Sequence, residues 1–322
     1  MAEWAVELRP KRLDQMVGQE ANREILSKWI ETDTLPSALI FFGRSGSGKT
    51  TAARIVALQM DAELIELDAA SHNSVDDARL LNEQALRLSL TGKHKIFLID
   101  ECHALSNAAW QALLKTIEEP NPKVHWILAT TEYTKLPATI RGRSRMLKFY
   151  SLPKEQLKEY AEEVLAYKGY TLSNEVLDLA VELANGQVRD LLKILQTAAE
   201  GNFDATKFRK FFAIPDESGM RTFINAVLTD AKKQGIKVLN SIQTDLIEWI
   251  NGLQKHIYKL LEHKYGITPI DFGTNVSLAT KVEKLINKFS DQQFGALLTE
   301  LNKINNAQTA YAQLYALLFR GV

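Results

Sequence analysis

Gly43-Arg44-Ser45-Gly46-Ser47-Gly48-Lys49-Thr50 decides the reading of this chain. The stretch meets the pattern G-x-x-x-x-G-K-[ST] at every required position. Ala38-Leu39-Ile40-Phe41-Phe42 before it is a short apolar run of the buried-strand kind. Thr51 to Met60 after it places Ala52, Ile55 and Val56 on one helical face. Glycines let a backbone fold around an anion with several N–H groups pointing inward. The helix that follows adds partial positive charge at its first turn. Lys49 is the group expected on the β- and γ-phosphates, the Thr50 hydroxyl the group expected on Mg²⁺, and Thr51 continues the helix start. The plain alternative is a glycine-rich turn that only joins a strand to a helix.

Further along, Ile96-Phe97-Leu98-Ile99-Asp100-Glu101 is an apolar strand closed by two acids, about 50 residues after the loop, as a nucleotide-hydrolysing sheet requires. Asp100 at the strand end can hold Mg²⁺, and Glu101 can polarise a water. Ile127-Leu128-Ala129-Thr130-Thr131-Glu132 is a third strand with a polar end. Ligands of open α/β sheets gather at the carboxyl ends of strands, so Thr130 or Thr131 is a candidate for the γ-phosphate or its water. Arg141-Gly142-Arg143-Ser144-Arg145 reads as a basic loop. Either it is merely solvated, or one arginine spreads its charge over a transferring phosphoryl group. Arg189, in Gly186-Gln187-Val188-Arg189-Asp190, opens a helix, where a cation is electrostatically disfavoured.

At 322 residues the chain has length for two or three domains. Residues 1–152 alternate strands and helices, with further strands at Leu64–Leu67 and Leu147–Phe149, which predicts an α/β parallel sheet covered on both faces. Ser106 is expected to cap a helix carrying Trp110, Leu113, Leu114 and Ile117, ended by Pro120. Residues 153–203 read as three helices: Lys154–Lys168, one capped by Ser173, and one from about Gln187 to Ala199. A short segment then leads to Pro215. The last part, residues 204–322, reads as all helical from about Glu217, with one long apolar stripe from Leu239 to Leu261. No apolar run approaches the ~18 residues of a membrane span, and Met1-Ala2-Glu3-Trp4 does not open a secretory signal. Lone Cys102 excludes internal disulfides and a cysteine-based zinc site, so a cytoplasmic setting is expected. Lys plus Arg and Asp plus Glu are both 39, so no bulk charge draws the chain to a polyanion; a local patch can still hold nucleic acid.

These motifs in this order resemble the AAA+ ATPases, and within them the clamp-loader branch of the bacterial gamma/tau and replication-factor-C small subunits. Leu8-Arg9-Pro10 with Val17-Gly18-Gln19-Glu20 resembles the family's N-terminal signature beside the adenine pocket, which implies roles for Arg9 and Val17. Asp100-Glu101-Cys102-His103-Ala104-Leu105-Ser106, running on to Glu118-Glu119-Pro120, is very similar to the family. So is Ala129-Thr130-Thr131-Glu132 with Lys135-Leu136-Pro137. The match spans about residues 4–200. It implies ATP and Mg²⁺ as ligands, Thr130 or Thr131 as a sensor on the third strand, and Arg189 as a sensor in a helical lid. It also implies a helical collar over 204–322. The family's arginine-finger motif falls on Ser144-Arg145-Met146, with Arg143 as a second candidate.

The gamma/tau group carries a zinc module after the P-loop helix; here Met60-Asp61-Ala62 runs straight into the next strand. A compact, zinc-free loader of phage type or of a divergent bacterium is expected, with none of tau's C-terminal binding tail. The resemblance implies a sliding clamp, primer–template DNA and other loader subunits in a pentameric-type assembly as partners, and no membrane. Ser71-His72-Asn73 and Ser106-Asn107 are candidates for DNA phosphates, and Leu80 and Leu81 for the clamp. The runner-up is a helicase or branch-migration motor, which would need a further DNA-binding domain; an adaptor without hydrolysis is the third.

Overall fold

The computed structural model describes residues 3–87, 94–119, 121–214, 217–229, 231–242, 246–267, 270, 276–304 and 307–320. The chain divides into two compact units, residues 1–203 and 204–322. Pro120 and Pro215, expected to close a helix and a connecting segment, lie outside the described residues.

Five strands form the sheet of the first unit: β1 (Ala38–Gly43), β2 (Glu63–Asp68), β3 (Lys95–Asp100), β4 (Val124–Thr130) and β5 (Arg145–Phe149). They run in the order β2-β3-β4-β1-β5, and every pairing is parallel. β4 is buried along its whole length, as a central strand covered on both faces must be. Edge strand β2 is only partly covered. Before and between them are α1 (Trp4–Glu7), α2 (Glu20–Glu31), α3 (Lys49–Gln59), α4 (Val75–Leu86), α5 (Asn107–Glu118) and α6 (Ala138–Arg143). One face of the sheet packs Leu39, Phe41 and Ile127 against α2 and α3; the other packs Ile40, Phe97 and Trp126 against α4 and α5. Phe97 and Trp126 stack with centroids 4.5 Å apart across β3 and β4.

The local signals explain the element starts. The Ser106 hydroxyl accepts from the Ala109 N–H at 3.2 Å and caps α5. Ser74 and Asp77 cap α4 reciprocally. α3 passes to β2 across three residues, with no inserted module. The basic stretch at 141–145 is not a loop: Arg141, Gly142 and Arg143 close α6, and Arg145 is the first residue of β5.

After the sheet come α7 (Lys154–Lys168), α8 (Asn174–Ala184, capped by Ser173) and α9 (Val188–Glu200), joined by the apolar faces that their spacing predicts. The second unit holds α10 (Ala205–Phe211), α11 (Glu217–Leu228), α12 (Lys232–Ser241), α13 (Leu246–Lys264), α14 (Val276–Lys288), α15 (Asp291–Asn302) and α16 (Ala307–Arg320). Its core gathers Phe223, Trp249, Leu253, Phe294 and Leu314. Two expectations fail here. Residues before Pro215 are not a plain connection, because Asp204 caps α10 through the Lys207 N–H at 2.7 Å. The stripe from Leu239 to Leu261 is divided between α12, which ends at Ser241, and α13, which begins at Leu246. An apolar period alone does not register such a break.

Candidate functional site

The carboxyl ends of β1 and β3 open into a cleft of about 900 Å³, its mouth included. Ser45, Gly46, Ser47, Gly48, Lys49, Thr50 and Thr51 line its floor, Asp100 and Glu101 one wall, and Arg9, Val17 and Arg189 the others. Gly48 has φ 99°, a left-handed conformation that glycine adopts without strain, and α3 begins at the next residue with no side chain capping it. The first N–H groups of α3 are therefore open to a ligand. The Ser47 hydroxyl is buried without a hydrogen-bond partner.

Lys49 is only 5% exposed, and its ammonium donates to the carbonyls of Gly43 (2.9 Å) and Arg44 (3.0 Å). Burial pulls its pKa below the usual lysine value; Glu101 and Asp100 oppose that pull and Arg189 adds to it. Arg9 is likewise lowered, first by burial and then by Arg54 and Arg189. Lys49, Arg9 and Arg189 thus crowd positive charge into one cleft. That donor set fits a triphosphate.

The Thr50 hydroxyl donates to Asp100 Oδ2 at 2.6 Å. A hydroxyl and a carboxylate are the hard oxygen ligands that Mg²⁺ takes. Among the described residues no group of three or more His, Cys, Asp or Glu is placed to hold a metal. A Mg²⁺ on Thr50 and Asp100 would therefore draw its other ligands from phosphate and water.

Glu101 follows with φ 47°, ψ 40°, a left-handed backbone in a residue with a side chain. Its Oε2 accepts from the Thr131 hydroxyl at 3.3 Å and lies 3.4 Å from His103 Nδ1. Thr130 is fully buried, with Oγ1 3.0 Å from His103 Nδ1 and accepting the Glu132 N–H at 2.9 Å. Buried Cys102 beside it has its thiol pKa pushed up by desolvation, so it is not a nucleophile.

Gly43, Arg44, Thr130, Arg143 and Arg145 are not on the cleft wall. The first two supply the carbonyls under Lys49. Arg145 pairs in register with Leu39, whereas Phe149 at the other end of β5 pairs with Gly43. Four residues of strand, about 13 Å, separate Arg145 from the level of its own glycine-rich loop. It is exposed and has no ion-pair partner among the described residues, while Arg143 lies 3.3 Å from Glu118. Of the clamp candidates, Leu80 is exposed, but Leu81 is buried in the α4–α5 core and leaves that list. The Ser106 hydroxyl is occupied as a helix cap.

Sequence reasoning missed the part of the wall formed by Ala5, Met16, Tyr160 and Leu192, which only tertiary packing assembles. It also passed over Gln187. With its amide nitrogen turned inward, Gln187 donates to Ser45 O at 2.7 Å and Asp190 Oδ2 at 3.0 Å, tying α9 to the loop. Gly186, with φ 80°, lets the turn into α9 pack on the segment after β5: a Cβ there would lie 2.7 Å from Ser151 Cβ and 2.9 Å from Leu152 O. Gly186→Ala is expected to destabilise the first unit by about 1–3 kcal/mol, read by urea denaturation.

Sheet order, loop and acidic strand end together give the fold of the AAA+ proteins. The solved structures agree: the Thermotoga maritima RuvB Holliday junction branch migration motor aligns with a TM-score of 0.52 over 86% of this chain and 87% of that one, at 19% identity. That likeness concerns the fold alone. Residues 58–153 match the family described as DNA polymerase III, delta subunit. DNA polymerase III subunit gamma/tau of Mycoplasma genitalium is 28% identical, across 92% of this chain and 54% of that protein. Subunit gamma of Buchnera aphidicola is 29% identical, across 76% and 75%. Subunit tau of Escherichia coli is 29% identical, across 75% of this chain and 42% of that protein. The chain thus spans about half the length of two of these relatives and three quarters of the third. The chain has the AAA+ fold, and in sequence it is similar to DNA polymerase III gamma and tau subunits.

Proposed function

We propose that this chain is an ATPase subunit of a clamp loader, which opens a ring-shaped sliding clamp and places it on primer–template DNA. One observation carries the ATPase part: three cations converge on a desolvated cleft floored by open helix-start N–H groups, facing a hydroxyl–carboxylate pair. An anionic ligand with a divalent cation relieves that imbalance. Lys49 would leave the carbonyls of Gly43 and Arg44 for the phosphates. Thr50 and Asp100 would hold Mg²⁺, which when bound neutralises phosphate charge. Glu101 would accept the proton of the water whose oxygen bonds to the γ-phosphorus as the bond to ADP breaks. Arg189, on α9, would sense the triphosphate from the lid over residues 153–203.

Arg145 stands too far from its own loop to act there, which supports a role on a neighbouring subunit's nucleotide. A shared pocket of that kind makes assembly and hydrolysis interdependent, and residues 204–322 would supply the collar that holds subunits together. The γ-phosphate is then the differential contact between open and closed assemblies.

A DNA-driven motor is the second reading, since the same fold serves a branch-migration motor. The sequence relatives favour the loader, and the elements of the second unit are all helices among the described residues. Steady-state ATPase assays separate the two. Clamp and primed DNA together are expected to stimulate a loader well beyond either alone; full stimulation by DNA without clamp overturns the loader reading.

A further inference from the structure

The polar groups behind Glu101 form a chain that the ATPase reading leaves without a task. Glu132 holds Lys135 at 2.9 Å and sits 3.2 Å from His103 Nε2. A carboxylate only accepts, so Nε2 carries a proton. Its ion pair with Lys135 keeps the Glu132 pKa below the ordinary value, which keeps that acceptor ionised. On the other edge of the ring, Nδ1 meets Thr130 Oγ1 at 3.0 Å and Glu101 Oε2 at 3.4 Å. His103 is thus fixed from both sides, on the 3-10 turn Cys102–Ala104 that directly follows the left-handed Glu101.

We propose that His103 is a positioning residue for Glu101. Glu132 and Thr130 set the plane of the imidazole, and the imidazole forms the wall behind the carboxylate. Oε2 of Glu101 takes the Thr131 hydroxyl at the edge of the ring, where the acceptor Nδ1 limits its approach, and Oε1 is the oxygen left for the attacking water. In this arrangement Thr130 serves His103 rather than the phosphate. Its full burial agrees with that, and Thr131 is then the threonine that answers directly to Glu101. His103 does not line the cleft. The proposal rests on the reading of the cleft as an ATPase site.

A carboxylate misplaced by an ångström loses much of its value as a base, so His103→Ala is expected to lower kcat roughly 10- to 100-fold. KM for ATP should change by less than about twofold, because the groups that bind nucleotide are untouched. Asn at this position can present its amide oxygen where Nδ1 lies and accept the Thr130 hydroxyl there, so His103→Asn is expected to recover most of kcat. Glu132→Ala, which removes the ring's second support, should show a smaller fall with the same KM.

The test is steady-state ATPase of wild type and these variants, with loader partners, clamp and primed DNA present. Binding of a fluorescent ATP analogue and thermal melting of each variant accompany it. A fall in kcat with KM and nucleotide binding kept, and recovery in His103→Asn, supports the proposal. Wild-type kcat in His103→Ala overturns it, and so does loss of nucleotide binding or an equal loss in the Asn variant. Lys49→Ala tests the underlying reading separately: if wild type turns over no faster than that variant, the ATPase reading itself fails.

Discussion

Lys49→Ala is expected to lower ATP turnover by at least about 10²–10³-fold, the scale of losing one preorganised charge at the reacting phosphoryl group. Its ammonium is nearly buried and, among the described residues, donates only to the carbonyls of Gly43 and Arg44. Desolvation holds its pKa below the lysine norm in the folded chain. The sign of the stability effect follows. A lysine whose folded pKa lies below its unfolded value is penalised by folding while charged, and the penalty disappears as pH rises through that interval. Below it, at neutral pH, removing the ammonium removes a cost. The ligand-free variant is therefore expected to melt no lower than wild type, while ATP ceases to raise its melting temperature. Thermal melts with and without Mg-ATP check both halves. A variant that melts low without nucleotide would assign Lys49 a folding role instead.

Arg145→Ala is expected to leave nucleotide affinity within about twofold of wild type while hydrolysis in the assembled state falls 10³–10⁵-fold, the range over which arginine fingers act. Register is the reason. Arg145 begins β5 at the level of Leu39, at the opposite end of the sheet from Gly43. It is exposed, so no buried contact is lost and the fold should persist. Arg143 is the comparison: its partner Glu118 at 3.3 Å occupies it within the chain, and Arg143→Ala should cost far less. Equal losses in the two variants would shift the finger to the pair. Nucleotide binding and single-turnover hydrolysis, measured on the same assemblies, separate affinity from chemistry.

The phosphate loop was legible because its requirements are backbone requirements. Glycine at positions 46 and 48 and the turn into α3 are written in residue type, and so is the strand end Asp100-Glu101. The sheet was legible for a related reason, since short apolar runs between amphipathic helices have few other solutions. What escaped the sequence depends on distant segments meeting. Leu80 and Leu81 are alike in composition, and only the packing of α4 on α5 buries one and exposes the other. The break between α12 and α13 falls inside a continuous apolar stripe. His103 carries no signal of its own as a role: Glu132, Thr130 and Glu101 come from two strand ends, and parallel pairing brings those ends together. Arg145 was visible as a cation. Its distance from its own loop needed the register of β1 and β5.

The sharing of one pocket between two subunits is tested most directly by mixing. Lys49→Ala chains keep Arg145, and Arg145→Ala chains keep a complete nucleotide cleft. Each variant alone is expected to be nearly inactive. Co-assembled from denatured or dissociated chains, some interfaces pair an intact cleft with an intact arginine, and ATP turnover should reappear well above the sum of the separate preparations. Turnover that stays at that sum in a mixture shown by native mass spectrometry to contain both chains in one complex would contradict the account.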